Sequence, residues 1–172
     1  MAHCACRRAE LGAAASAYTS APMTRHRIDH SSMQHLLGYA LAQARVATTK
    51  AFFDAVGGPL QLRPVEFSLL MLLRDNDGVT QRDLVEALNL NAPNLTTLIT
   101  RVQERGLLSR ERSDSDRRAQ LIRLTAEGVE LAAQAHSAAS TMEAGIRKRY
   151  TPGEWALLLE LLHRGGTASF SE

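Results

Sequence analysis

Along most of the chain apolar residues recur at i, i+3, i+4 and i+7, the spacing of helices with one buried face. Ser31-Ser-Met-Gln34 has the form of a capping box, and the stripe Leu36, Leu37, Ala40, Leu41, Ala44, Ala47, Ala51 and Phe52 after it predicts a long helix to about Val56. Gly57-Gly58-Pro59 closes it. Pro64 suits the first turn of a second helix that carries Phe67, Leu70, Met71 and Leu73 inward, and Asp75–Gly78 is a turn. Thr80-x-x-Asp83 opens a short helix to about Leu88. Asn91 caps the next, with Pro93 in its first turn and Leu95, Leu98, Ile99 and Val102 on one face. Gly106 stands where a helix C-terminus favours glycine. There the helical spacing breaks off. Leu107–Arg112 and Ala119–Leu124 read as short strands, and Ser113–Arg118 between them is too polar for anything but a turn. Thr125 then caps an Ala-rich helix to about Arg149. Thr151-Pro-Gly-Glu154 opens a last one with Trp155, Leu158, Leu159 and Leu162, ended by Gly165-Gly166.

The pattern therefore predicts a mainly α protein with one small β-hairpin, an α+β fold of a single domain over residues 29–165. Residues 1–28 read as an N-terminal tail and residues 166–172 as a short C-terminal one. Composition agrees. Hydrophobic residues make up 45% of the chain but aromatics only 5%, so the core is built from Leu, Ala, Val and Ile. Charge narrows the function. A net +2 from 20 basic and 18 acidic residues excludes a polycation, so affinity for nucleic acid must come from local placement of Arg. No run approaches the ~20 apolar residues of a membrane helix. Glu10 interrupts any signal-like stretch after Arg7-Arg8, and the two cysteines, Cys4 and Cys6, are too close for an ordinary disulfide. A cytoplasmic protein is expected.

Asn91 to Thr125 is the stretch in which chemistry concentrates. Pro93, Asn94, Thr97, Thr100 and Arg101 lie off the apolar stripe of their helix, and Asn91 sits at its start. Asn and Thr read base edges, and Arg reaches bases or phosphates. Such a face is by itself also an ordinary solvent face. The hairpin alters that balance, because Arg110, Arg112, Arg117, Arg118 and Arg123 fall close together without a Lys. The planar, weakly hydrated guanidinium is the better probe of a narrow minor groove. Asp116, two residues before Arg118, is placed to orient it. Asn91, Pro93, Asn94, Thr97, Thr100, Arg101, Arg112, Asp116, Arg117 and Arg118 are accordingly the candidate DNA-binding residues.

Gly106-Leu107-Leu108, Asp116-Arg117-Arg118 and Leu124-Thr125-x-x-Gly128, following two short helices, resemble the MarR (multiple antibiotic resistance regulator) family over about residues 30–165. The resemblance implies a winged helix-turn-helix domain at about 64–125. It implies a homodimer formed through helices at about 32–56, 126–149 and 152–163, and repression from a palindromic double-stranded operator. Asn94, Thr97 and Arg101 then occupy major-groove positions, Arg118 the wing tip, and Asp116 the acid that holds it. Thr97 stands where the family often has Arg, and Ala92-Pro93 where it often has Pro-Ser, departures that bear on the operator sequence. Broad apolar stripes on the Ala-rich and Trp155 helices give dimerisation an independent reason.

The resemblance also implies a small-molecule effector, often an aromatic acid, bound between the dimer helices and the winged domain. His35, Tyr39, Arg45, Phe67 and Met71 are the candidates. His35 and Tyr39 are i, i+4 neighbours, and an Arg and a His beside apolar walls suit a carboxylate. Two alternatives remain: a winged-helix module for protein–protein contact, and a redox-responsive regulator using Cys4 and Cys6. No cofactor or metal site is expected, since neither His3-Cys4-x-Cys6 nor His26 with His30 makes a full ligand set. No nucleophile–base pair, P-loop or H-E-x-x-H motif is present, which argues against an enzyme.

Overall fold

The computed structural model describes residues 28–112 and 120–166. Among these residues, seven α-helices and a three-stranded antiparallel sheet run in the order α1 (Leu37–Phe52), α2 (Pro64–Asp75), β1 (Val79–Thr80), α3 (Gln81–Leu88), α4 (Ala92–Glu104), β2 (Leu108–Arg112), β3 (Gln120–Leu124), α5 (Ala126–Met142), α6 (Ala144–Arg147) and α7 (Pro152–Gly166). The α+β fold expected from the pattern is the fold observed. The core gathers Leu69, Leu70 and Leu73 of α2, Leu84 of α3, Leu95, Leu98, Ile99 and Val102 of α4, Leu108 and Ile122 of the sheet, and Ala132 and Ala135 of α5.

Local chemistry accounts for the starts of α3, α4, α5 and α7. Thr80 Oγ1 accepts from the Asp83 N–H while the Asp83 carboxylate accepts from the Thr80 N–H, a reciprocal pair. Asn91 Oδ1 accepts from the Asn94 N–H at 2.9 Å and Thr125 Oγ1 from the Gly128 N–H at 3.1 Å. Glu154 accepts from both the N–H and the hydroxyl of Thr151. The Thr80 hydroxyl, which donates to the Asp83 carboxylate at 2.7 Å, and the Thr151 N–H are the main causes that hold the Asp83 and Glu154 carboxyls below the usual carboxylate range. At the other end of α4, Gly106 adopts φ +73°. Its N–H donates to Gln103 O and the Leu107 N–H to Val102 O, the paired bonds of a Schellman turn that sends the chain into β2.

Several sequence expectations shift. Ser31 does not cap α1: its N–H and hydroxyl bond the Asp29 carboxylate, residues 31–35 form turns, and the helix begins at Leu37 after an uncapped Leu36. The C-terminal end of α1 runs directly into a π-helical turn, Phe53–Gly57, before Gly58. The Ala-rich helix breaks at Glu143, whose backbone leaves the helical region, so that α6 is separate. Strand β1 was not anticipated. It pairs with β3 through Val79↔Ile122 and Thr80↔Leu121, placing β3 in the centre of the sheet.

Candidate nucleic-acid interface

Helices α3 and α4 form a helix-turn-helix whose turn is set by Asn89, in the left-handed region at φ 49°. Leu84 of α3 and Leu95, Leu98, Ile99 and Val102 of α4 are buried. A bond from Gln81 Nε2 to Thr96 Oγ1, 2.6 Å, ties the two helices outside the core. With one face of α4 sequestered, Pro93, Asn94, Thr97 and Thr100 are exposed together on the other. Asn91 is exposed as well, but its carbonyl oxygen is engaged in the cap. Thr97 Oγ1 donates to Pro93 O at 3.0 Å, which commits its proton and leaves the hydroxyl oxygen able to accept. Thr96, Thr97, Thr100, Arg101 and Glu104 line a shallow cleft of about 360 Å³.

Arg101 is not simply solvent-facing. Its Nη1 lies 3.4 Å from Oε1 of Glu66 on α2, and Nη1 of Arg105 lies 3.5 Å from Oε2 of the same carboxylate. Glu66 is buried. Sequence reasoning missed it because the partners are 35 and 39 positions apart; an acidic residue within a run of core positions was the available signal.

In the hairpin, β2 and β3 pair from Leu108↔Leu124 to Arg112↔Gln120. Asp116, Arg117 and Arg118 lie outside the described residues, as does the side chain of Arg112. Arg110 is exposed. Arg123 is committed within the protein. Its Nη1 donates to Asp77 in the turn before β1, and Nε makes an ion pair with Glu111 at 3.1 Å without hydrogen-bond alignment. The Asp77 bond holds the guanidinium above its ordinary pKa. Arg123 therefore anchors the base of the hairpin and is not part of its basic finger.

The effector candidates are dispersed. His35 is exposed in the turns before α1 and does not form a helical pair with Tyr39, because the helix starts two residues later. Tyr39 is half-buried and bonds His30 Nδ1 at 2.9 Å, with the rings stacked. Arg45 is exposed on α1. Phe67 and Met71 are half-buried against the core, and Phe67 packs edge-on to Phe52 at 5.7 Å. Cys4 and Cys6 lie outside the described residues.

A sequence model of the MarR family matches residues 62–119, which span the helix-turn-helix and the hairpin. The transcriptional repressor CouR, solved bound to a 23-mer DNA duplex, is 30% identical and superposes with a TM-score of 0.75 over 81% of this chain and 99% of its own. The chain belongs to the MarR family. It is a DNA-binding transcriptional regulator with a winged helix-turn-helix, and its relatives are regulators rather than enzymes. CouR from Rhodococcus jostii RHA1 bound to p-coumaroyl-CoA is 25% identical, with a TM-score of 0.71 over 81% of this chain and 98% of that one. The organic hydroperoxide resistance transcriptional regulator of Bacillus subtilis (strain 168) is 26% identical over 81% of this chain and 97% of its own. Among the described residues, no helix is long and apolar enough to cross a membrane.

Proposed function

We propose that this MarR-family regulator is a homodimeric repressor that holds a two-fold symmetric operator and is released by a small aromatic acid or its thioester. The observation that carries the reading is the polar face of α4, with Asn94, Thr97 and Thr100 exposed over a core that fixes the helix on its other side. That face enters the major groove, with Arg101 beside it, Asn91 and Pro93 at the helix start against the backbone, and Arg112, Arg117 and Arg118 of the wing along the flanking minor groove, Asp116 orienting Arg118.

The dimer follows from what the chain leaves uncovered. Leu37, Leu41 and Val46 of α1 and Leu157, Leu159, Leu161 and Leu162 of α7 are exposed. None of the α7 residues is buried. An apolar surface of that extent belongs at an interface, and a second copy supplies the same helices in return. For the effector, Phe67 and Met71 of α2, half-buried where Phe67 meets Phe52 at the end of α1, offer an apolar wall, whereas His35 and Tyr39 stand at the opposite end of α1 and Arg45 between them. A ring against Phe67 and Met71 fits the aromatic-acid class, and CouR with p-coumaroyl-CoA supports that class.

Arg118→Ala is expected to weaken operator binding by roughly 1–3 kcal/mol, the range for an Arg that reads a groove. Anisotropy titrations at physiological salt measure it, and unchanged affinity removes the wing from the interface. A thermal-shift screen of aromatic acids and their thioesters, followed by DNA-release assays on hits, tests the effector. A ligand at about 100 times its Kd adds about 2.7 kcal/mol of stability, and a hit that does not release DNA contradicts the proposed role.

A further inference from the structure

Glu66 is the one buried charged side chain among the described residues, at 2% exposure. Its place in the third position of α2 is explained in part by a local bond, since Oε2 accepts from the Arg63 N–H at 2.9 Å. A glutamine serves that capping role equally well. What glutamine does not supply is a negative charge facing the guanidinium groups of Arg101 and Arg105 at 3.4 and 3.5 Å. A carboxylate withdrawn from water is tolerated only beside such cations, so the triad joins α2 to the C-terminal half of α4.

Arg101 is shared between two environments. One nitrogen meets Glu66, yet the side chain is 39% exposed and borders the cleft formed with Thr97 and Thr100. A guanidinium is a rigid planar fork with five N–H groups. Fixing one edge of the fork fixes the direction of the others. We propose that Glu66 is a positioning residue for DNA recognition. It sets the plane of the Arg101 guanidinium against the duplex, and it offsets one of two positive charges that otherwise attract any phosphate backbone regardless of sequence. This rests on the reading of α4 as the helix that enters the groove.

Glu66→Gln retains the cap and releases both arginines. Charge near the duplex rises by one, so binding to scrambled DNA tightens, and its salt dependence steepens by about one unit in log K against log salt. Orientation is lost on the operator. The ratio of operator to scrambled affinity therefore falls about tenfold, whereas a purely structural defect lowers both affinities together and leaves the slope alone.

The test uses the full chain and a duplex selected from a random pool. Wild type, Glu66→Gln, Arg101→Ala and the double variant are titrated on the selected and a scrambled duplex from about 50 to 200 mM salt, each with its melting temperature. The expected result is the lowered ratio with the steeper slope for Glu66→Gln, and no further fall in ratio when the change is made on Arg101→Ala. An unchanged ratio, or an equal fall in both backgrounds, overturns the positioning role. Unchanged operator affinity of Arg101→Ala overturns instead the reading of α4 on which it rests. Should Glu66→Gln fail to fold, Glu66→Asp keeps the charge but shortens the reach by one methylene. Its ratio is expected to fall with the slope unaltered, and an unaltered ratio refutes the proposal.

Discussion

Gly128→Ala lowers stability by about 3 kcal/mol, the upper part of the usual range for forcing a methyl into a filled space. A Cβ at this position runs into the carbonyl oxygen of Leu107, with the carbonyl carbon at 3.1 Å and Leu124 Cδ2 at 3.3 Å. The obstruction is backbone, and that backbone is pinned. Leu107 O accepts from the Thr125 N–H at 3.1 Å, and Thr125 Oγ1 donates to Gly106 O at 2.6 Å while capping α5 through Gly128. Neither side gives way without breaking the junction that joins the α4 turn, β2 and α5. At roughly 2–4 °C per kcal/mol for a chain of this size, the melting temperature falls by about 6–12 °C. Gly145→Ala is the control, because a Cβ there meets nothing within 4 Å. A Gly128→Ala melt within a degree or two of the wild type contradicts this close packing.

The second large effect is on assembly. Leu37 of α1 and Leu161 of α7 are 66% and 45% exposed. In the proposed dimer they are covered by the partner. A buried unpaired carboxylate costs several kcal/mol, and an isologous interface repeats every residue, so the cost counts twice. At about 3 kcal/mol per copy, Leu161→Glu or Leu37→Glu raises the dimer dissociation constant by about 10⁴-fold. Sedimentation at micromolar concentration then finds monomer, and operator binding weakens because the two half-sites no longer act together. The substitutions leave the buried core untouched, so the winged domain stays folded. Both variants sedimenting as dimers with wild-type DNA affinity contradict the assignment of this surface.

The parts of the fold legible in the sequence were those specified by neighbours along the chain. Thr80, Asn91, Thr125 and Thr151 each cap a helix through a residue three positions on. Gly106 takes the left-handed conformation that its position between helix and strand requires. The stripe Leu95, Leu98, Ile99 and Val102 is buried as its spacing predicts. Local signals failed where a competing partner was available. Ser31 had the right spacing for a capping box, but Asp29, two residues away, took its hydrogen bonds. Tyr39 found His30 rather than His35 once the helix began at Leu37. Strand β1 is two residues long, too short for any alternation to show, and exists because β3 offers it an edge.

The interface followed the same division. The exposed face of α4 could be read from its complement, the buried stripe. The roles of Arg101 and Arg123 could not, because a run of arginines looks uniformly basic until their partners are known. Glu66 on α2 and Asp77 before β1 reach them only through the tertiary fold. Arginines that looked equivalent in the sequence thus divide: Arg123 locks the hairpin base, and Arg101 is shared between a buried carboxylate and the candidate DNA face.

Selection of bound duplexes from a random-sequence pool by the full chain bears most directly on the claim that a two-fold dimer presents two copies of α4 to successive major grooves. The enriched motif is expected to be an inverted repeat with half-site centres about 10 base pairs apart, one turn of the double helix. A single half-site without a symmetric mate, a direct repeat, or no enrichment over non-specific DNA contradicts it.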